Sequence, residues 1–592
     1  MPIKEGYEEI PDQAPQEFEK GEWLDPSDTT YGKGKRHQAL LSDAYIILED
    51  SLDVQTPETA FVILAEDEPA NFKEAMKSDN HAEWMKACQA EYETLMGYQT
   101  WDLVPKPLKT NIVGSCWTFR VKRDNLGNIN KFKARVVAQG LSQVPGVDFT
   151  ETYSPTIRLT SIRFILAYAC QYDLELKQVD IKGAYLKGQL DDNDVYMCQP
   201  DGFIIEGKED LVCKLNKSMY GLKQSGRVWH HTLCSELQKI GFTPGEADTT
   251  VFFWTNSDGV LNIAGWYVDD GLLAAHTAQV MEKIIHDIRG SFEIQDLGEP
   301  SWLLGIQIIC DRLHSTIHIS QPSFISTLSK WFNIPPRKSI RTPMEEKLIL
   351  KIASPEDSPA MIPYSSLIGS LNCCALFTRP DVSFAVNKCA QYSSKPTLEH
   401  WAAATHILWY LIHTKNYGIT YKHDGIGLND YDHHLIGYTD ANYAGDVDDR
   451  KSTTGWIYTY AGAPICWSSK KQNIVSCSTM EAEVIAGSFS SVEGTWLSKL
   501  RKDFNIIFKL IPIFTDNESF ISFCKNKVNN NRTKHIDIHY HYTKNEMIAG
   551  NIVLHHIPTV NNLADILTKP LSPRTNIFWI LLEYVELEGV LR

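Results

Sequence analysis

The hydrophobic rhythm of the chain changes several times, and each change marks an expected element. Residues 1–70 hold no sustained period and are interrupted by proline; they read as an acidic, largely disordered N-terminal segment with one short helix near Ala39 to Leu48. From Asn71 onward Ala75, Met76, Trp84, Met85, Ala87, Cys88, Tyr92 and Met96 recur at helical spacing, which predicts one or two amphipathic helices. Alternation then predicts strands at Trp117 to Lys122 and Lys133 to Ala138, joined through an Asn125-Leu126-Gly127-Asn128 turn. That hairpin is loaded with cations.

An apolar helix is expected over Ile162 to Cys170, followed by an alternating strand through Leu174, Leu176, Gln178 and Asp180 and by a strand–turn–strand unit centred on Tyr267-Val268-Asp269-Asp270. A helical region from Ser365 to Thr414 leads into a C-terminal unit. There the expected order is a strand at Leu435 to Asp440, strands through Trp456 to Tyr460 and Ile465 to Ser468, a helix after Ser478, a strand at Ile511 to Asp516, a helix, a strand at Ile552 to Ile557 and a final helix. Mixed helices and strands predict an α+β domain, and the C-terminal order suits a mixed sheet with helices packed on it.

Length and charge refine this picture. A chain of 592 residues with 43% hydrophobic content is a multi-domain globular protein. No apolar run approaches the roughly 20 residues of a membrane-spanning helix, so no membrane partner is expected. The start Met1-Pro2-Ile3-Lys4-Glu5 lacks the basic and apolar parts of a secretory signal, which predicts an intracellular protein. Thirteen cysteines form no C-x-x-C pair and are expected as reduced thiols. The net charge of −16 argues against a global field for nucleic acid, yet residues 1–70 alone carry 17 acidic against 5 basic side chains. A local basic patch at Arg120, Lys122, Arg123, Lys131, Lys133 and Arg135 is therefore the expected footprint.

Nucleotide addition and RNA hydrolysis both need carboxylates that hold two divalent ions about 4 Å apart. Asp269 and Asp270 at the tip of an apolar hairpin, with Asp180 at the end of a neighbouring strand, offer one such set. Paired aspartates in a turn are usually a solvated tip; the surrounding strings change that reading. Tyr267-Val268-Asp269-Asp270 resembles the reverse-transcriptase signature. Gln178-Val179-Asp180-Ile181-Lys182-Gly183-Ala184-Tyr185-Leu186 resembles the first catalytic motif of copia-type LTR retrotransposon Pol polyproteins. Tyr220-Gly221-Leu222-Lys223-Gln224-Ser225-Gly226-Arg227-Val228-Trp229 is similar to their nucleotide and template segment. Lys133 to Gly140 resembles their fingers strand, and Leu303-Leu304-Gly305-Ile306-Gln307 their primer-grip hairpin. Further on, Tyr438 to Asp446, Ser478 to Glu483, Phe514-Thr515-Asp516-Asn517 and Leu563 to Pro570 resemble the RNase H motifs of the same family, in order.

The resemblance covers about residues 71–575 and implies an α+β polymerase of fingers, palm and thumb followed by an α/β RNase H-like domain. The expected divisions are 71–345 for the reverse transcriptase, 346–431 for a helical thumb or connection region, 432–575 for the RNase H-like domain and 576–592 for a C-terminal tail. It implies Asp180, Asp269 and Asp270 as polymerase metal ligands, Tyr185 as the aromatic that excludes a ribose 2′-hydroxyl, and Lys223 and Gln224 as substrate contacts. Arg120, Lys122, Lys133 and Arg135 are candidates for the triphosphate, with the strand register left open. Asp440, Glu483, Asp516 and Asp565 are implied as the nuclease ligands. Glu483 is preferred to Glu481, which is held in reserve, because Glu483-Val484-Ile485-Ala486 fits the family pattern.

The implied cofactor is Mg²⁺, two ions per site, with Mn²⁺ as the alternative. The implied partners are an RNA template, a DNA primer or priming tRNA, RNA–DNA hybrid and dNTPs, with capsid and integrase supplied elsewhere. The implied compartments are the cytoplasm, in a virus-like particle, and the nucleus. Two departures stand out: Gly226 replaces a proline and Gly271 a methionine, and both are expected to loosen the backbone. His535, His539 and His541 are read as surface or substrate-contact groups rather than zinc ligands, and Trp84, Trp101, Trp117, Trp229 and Trp401 as core or platform residues. No knuckle, protease or integrase motif is visible, so a longer polyprotein is expected to supply them. The competing readings are a decayed relic that only binds nucleic acid and a scaffold acting through the first 70 residues.

Overall fold

The structure, a computed structural model, describes residues 68–572 apart from 109, 124–128, 191–193, 257–258, 335–339, 355–361, 424–434, 507–509 and 526–536. Residues 1–67 with their expected helix, the Asn125–Asn128 turn, His535 and the 576–592 tail lie outside the described residues, as do the side chains of Lys122, Arg123 and His539.

Helix α1 (His81–Gly97) buries Trp84, Cys88 and Leu95, one stripe at helical spacing. It packs on a two-stranded hairpin, β1 (Ser115–Arg123) and β2 (Ile129–Ala138). Trp117, Phe119, Ala134 and Val136 face inward, and the Trp84 indole meets the Phe119 and Phe132 rings edge-on at 5.1 and 4.7 Å. The register pairs Thr118 with Arg135, Arg120 with Lys133 and Lys122 with Lys131. Directly paired residues share a face of the pleat, so Arg120, Lys131, Lys133 and Arg135 fall on the side away from the core.

The palm is one antiparallel sheet between helices. Its elements are α2 (Leu159–Gln171), β3 (Glu175–Ile181), α3 (Ser225–Lys239), β4 (Val251–Thr255), β5 (Leu261–Tyr267), β6 (Asp270–Ala275), α4 (Ala278–Ser291) and β7 (Ile294–Gly298). The strands lie in the order β7-β3-β6-β5-β4, with Thr243–Pro244 at the edge. Alternation sends Leu176, Ile263, Leu272 and Ala274 to the side of α2. Val179, Ile181, Leu273 and Ala275 go to the side of α3 and α4. Both faces are covered, which is why these strands read as nearly continuous apolar runs.

Beyond the palm, β8 (Ile306–Asp311) and β9 (Thr316–Ser320) form a hairpin, followed by α5 (Pro322–Trp331), α6 (Tyr364–Phe377), α7 (Ser383–Ala390) and α8 (Leu398–His413). Strand β10 (Ile419–Lys422) then returns to pair with β9. Strands on either side of the expected 345/346 division thus share one sheet. The C-terminal unit contains β11 (Ile436–Asn442), β12 (Thr453–Tyr460), β13 (Ala463–Lys471), α9 (Thr479–Asp503), β14 (Ile511–Thr515), α10 (Asp537–Ala549) and β15 (Ile552–His556). Its order is β13-β12-β11-β14-β15, antiparallel through the first three and parallel from β11 onward. This is the α/β mixed sheet the sequence predicts, following an α+β unit.

The two enzyme-like units share one core. The Arg163 guanidinium on α2 is buried and donates to the carbonyls of Ile465 on β13 (2.7 Å), Leu376 (2.7 Å) and Phe377 (2.9 Å) at the end of α6. It also stacks on Trp467 at 4.2 Å. Reciprocally, Asp503 at the end of α9 accepts from the palm amides of Glu246 and Ala247, and Trp496 donates to the Ala247 carbonyl. Phe504 sits among Phe164, Tyr168 and Phe253 with centroids 4.7–5.0 Å apart.

Two candidate carboxylate sites

The first site is built by a two-residue turn. Tyr267 pairs with Asp270 across the β5–β6 hairpin, so Val268 and Asp269 form its tip. Val268 adopts φ 54°, costly for a β-branched residue, and its carbonyl accepts from the buried Trp229 indole at 2.8 Å. Trp229 is thus both core and clamp. Asp180 on β3 stands directly opposite Asp270, and the Ile181 amide donates to the Asp269 carbonyl at 2.9 Å. Three carboxylates distant in sequence therefore meet at neighbouring strand ends. Burial raises the pKa of Asp269; the Asp180 charge adds to the rise, while Arg135 and Lys133 work against it.

Those cations come from the outward face of β1–β2. The Arg135 guanidinium lies 4.4 Å above the Tyr220 ring, and Tyr220 meets Tyr185 edge-on at 5.0 Å, so one line of side chains runs from the fingers to the palm. Tyr185 is buried on the short helix Ala184–Lys187. Arg120 points elsewhere, pairing with Glu68 at 2.7 Å. Gln224 is buried, donating to the Asp148 carbonyl (2.9 Å) and accepting from Gln143 (3.0 Å), while the Lys223 ammonium sits over Phe149 at 4.9 Å. The structure therefore gathers Lys133, Arg135 and Tyr185 toward the aspartates and commits Gln224 to holding the 139–149 loop.

Gly271 departs from the expected loosening. Trp266 is its register partner, and a Cβ added at Gly271 meets the Trp266 ring at 2.6 Å and Val179 at 2.8 Å. The fully buried indole fills the space that a side chain on β6 would take, so the position is tightly packed. At Gly226 an added Cβ lies 2.9 Å from Ser154, equally close.

The second site lies at the end of β11. Asp440 on β11, Glu483 in the first turns of α9 and Asp516 just after β14 bring carboxylate oxygens within 4.8 Å of one another. Among the described residues this is the one group of three or more that meets that spacing. Glu481 goes elsewhere: its carboxylate accepts the Cys477 amide at 2.6 Å while its own amide donates to Ser478, an N-terminal cap on α9. Asp565 stands beside Asp440 in the turn Leu563–Leu567 and pairs with Lys569 at 2.8 Å. The Thr568 hydroxyl donates to Asp440, fixing that segment to β11.

Burial, with Asp440 and Asp516 as like-charged neighbours, pushes the Glu483 pKa well above the carboxylate range. Asp440 and Asp565 are also raised, first by burial. Glu483 Oε2 and Asp565 Oδ1 are buried without a hydrogen-bond partner. Buried carboxylate oxygens left orphaned at close quarters fit hard divalent cations, which take oxygen donors and cancel the repulsion. Sequence reasoning assigned no role to Trp266, Lys569 or Thr568, because their partners lie on other strands or turns.

All thirteen cysteines are free thiols, and no helix among the described residues is long and apolar enough to cross a membrane. Trp84, Trp101 and Trp117 are buried, and Trp401 is partly buried against the core.

A palm whose paired aspartates face a third on the adjacent strand marks the class of reverse transcriptases, here joined to a five-stranded mixed sheet with carboxylates of its own. Residues 98–346 match the family described as "Reverse transcriptase (RNA-dependent DNA polymerase)". The chain is 36% identical over 520 residues to the retrovirus-related Pol polyprotein from transposon TNT 1-94 of Nicotiana tabacum, covering 87% of this chain and 39% of that protein. It is 38% identical over 515 residues to the Pol polyprotein from transposon RE1 of Arabidopsis thaliana, covering 87% and 34%. The putative transposon Ty5-1 protein of Saccharomyces cerevisiae is 32% identical over 317 residues, 53% of this chain and 100% of that protein. The chain belongs to the copia-type retrotransposon Pol polyprotein family, and it spans two fifths or less of the two plant relatives.

Proposed function

We propose that this chain is an RNA-directed DNA polymerase that copies retrotransposon RNA into DNA by two-metal nucleotidyl transfer, and that its C-terminal unit hydrolyses the RNA strand of the resulting hybrid. The observation that carries the reading is the register that sets Asp180 opposite Asp270 beside Asp269, with Lys133 and Arg135 close enough to oppose the burial-driven rise of the Asp269 pKa. Asp180, Asp269 and Asp270 would hold two Mg²⁺ ions, with Mn²⁺ as the alternative; the chemistry supplied there is a more acidic primer 3′-hydroxyl and charge neutralisation on pyrophosphate. Lys133 and Arg135 bind the triphosphate through charge-assisted hydrogen bonds. Tyr185, backed by Tyr220, sets a wall against a ribose 2′-hydroxyl.

In the C-terminal unit Asp440, Glu483, Asp516 and Asp565 would hold the ions, which there supply a more acidic attacking water and charge neutralisation at the leaving oxygen. The substrates are RNA template, DNA primer or priming tRNA, dNTPs and RNA–DNA hybrid; capsid and integrase come from elsewhere in the element, in the cytoplasm and nucleus. Residues 71–345, 346–431 and 432–575 divide the labour as polymerase, connection and nuclease. The purified chain, given primed RNA template, dNTPs and Mg²⁺, extends the primer, and Asp269→Asn abolishes extension. A parent protein that binds the primed template yet adds no nucleotide would leave the nucleic-acid-binding relic as the correct reading.

A further inference from the structure

Lys569 is a cation placed inside a carboxylate cage. It follows Asp565 by four residues, its amide donates to the Asp565 carbonyl at 3.2 Å and its ammonium lies 2.8 Å from Asp565 Oδ2. Asp565 is the nuclease carboxylate that stays outside the group formed by Asp440, Glu483 and Asp516. Its other oxygen, Oδ1, is buried and has no hydrogen-bond partner. The ammonium therefore holds one oxygen of the fourth carboxylate, which stays beside Asp440, while Thr568, bonded to Asp440, fixes the segment from which Lys569 projects. The Lys569 side chain is still 37% exposed, so one flank opens to solvent where a backbone phosphate would arrive. Burial alone lowers the Lys569 pKa, but Asp565, Asp440 and Asp516 outweigh it and keep the group charged.

We propose that Lys569 is a substrate-contacting residue of the nuclease site, whose ammonium rests on Asp565 in the ion-free protein and passes to a non-bridging oxygen of the scissile phosphate when the site is loaded with divalent ions and hybrid. The inference rests on the nuclease reading above. Charge decides it. Four carboxylates and two divalent cations cancel, which leaves the single negative charge of the phosphodiester for Lys569. Once Asp565 turns toward the ions, the ammonium has lost its partner and the phosphate oxygen is the charge-assisted acceptor that replaces it. If Lys569 were only a counter-ion that lets Asp565 be buried, it would have no part in turnover once the ions are bound.

The test uses the full chain, with primer extension as the internal control for folding. Lys569→Met is expected to lower kcat for hybrid cleavage at saturating Mg²⁺ about 100-fold, the low end of the range for losing one donor to a developing anion, and to leave extension unchanged. By calorimetry without substrate, the Mg²⁺ binding that Asp440→Asn removes should become about 3- to 10-fold tighter in Lys569→Met, because a competing cation has gone. Lys569→Arg should recover most of the cleavage. Cleavage within twofold of the parent at saturating Mg²⁺, Mg²⁺ binding unchanged or weaker, or an arginine variant as inactive as the methionine one overturns the proposal. Hybrid cleavage that survives Asp440→Asn would overturn the nuclease reading itself, and this inference with it.

Discussion

The two carboxylate sites answer the same chemical need in opposite ways. The palm site sits on a strained hairpin tip, its aspartates only partly buried and outside the one described group that meets ligand spacing, and it relies on cations from a separate hairpin to offset their charge. The nuclease site is buried and already assembled: three carboxylates from two strand ends and a helix converge within 4.8 Å, with orphaned oxygens left over. A preassembled site stores like-charge repulsion that ions relieve. The difference shows that the number of acids says little about a site until their burial is known.

The strongest way to break this comparison is to inactivate each site alone. Asp269→Asn should reduce primer extension roughly 1,000-fold or more while hybrid cleavage continues, and Asp440→Asn should do the reverse, the scale expected for a principal catalytic group. Parallel extension and cleavage assays on each variant check it; loss of both activities in either one would mean the sites do not act separately.

Separate chemistry does not imply separate folding. Arg163→Met leaves the carbonyls of Ile465, Leu376 and Phe377 without their donor, each unmet buried acceptor costing about 1–3 kcal/mol. The expected outcome is a loss of about 3–5 kcal/mol in one cooperative transition, with both activities failing at the same temperature. Two resolved calorimetric transitions in the parent protein would show that palm and nuclease are independent bodies.

A smaller effect sharpens the view of the palm tip. Gly271→Met should destabilise the chain by about 1–3 kcal/mol, because the inserted side chain meets the Trp266 ring. Pairing it with Trp266→Val should recover most of the loss, and denaturant titration of the double-mutant cycle measures the coupling. Additive losses would mean that Trp266 does not occupy the missing side chain's space.

Much of this was legible in the residues. Alternation and helical spacing located α2, β3, β5 and β6 of the palm and all five strands of the C-terminal sheet, but not α3, β4, α4 or β7. The motif strings proposed seven acids, and the structure brings the side chains of Asp440, Glu483 and Asp516 together. Glu483 was preferred to Glu481 on a local pattern, and in the structure Glu481 is turned back onto the Cys477 amide. What was not legible depends on partners distant in sequence. The register that puts Arg135 toward Asp269 but turns Arg120 to Glu68, the indole that fills Gly271, and the salt bridge that holds one oxygen of Asp565 leave no local signature. Arg163 was hidden for the same reason, since a cation inside an apolar helix reads as a flaw in the pattern until its three carbonyl acceptors are in view.

The smallest expected effect bears most directly on the contrast between the sites. Glu483 is buried beside Asp440 and Asp516 with its pKa raised and one oxygen without a partner, so at neutral pH the ion-free fold is destabilised by having to take up a proton there or bury the charge. Glu483→Gln removes that cost at nearly constant volume. In chelator at neutral pH it should therefore raise stability by about 0.5–2 kcal/mol, the range seen when functional strain is relieved, although hybrid cleavage is lost. Asp180→Asn on the half-exposed palm strand should change stability by less than about 0.5 kcal/mol under the same conditions, as expected where water already screens the charge. Adding Mg²⁺ should stabilise the parent more than Glu483→Gln, because only the parent keeps the full set of ligands. Thermal unfolding of the parent and both variants, with and without Mg²⁺, is the measurement. If Glu483→Gln is less stable than the parent in chelator, the buried cage is not under electrostatic strain, and the two sites differ in exposure alone.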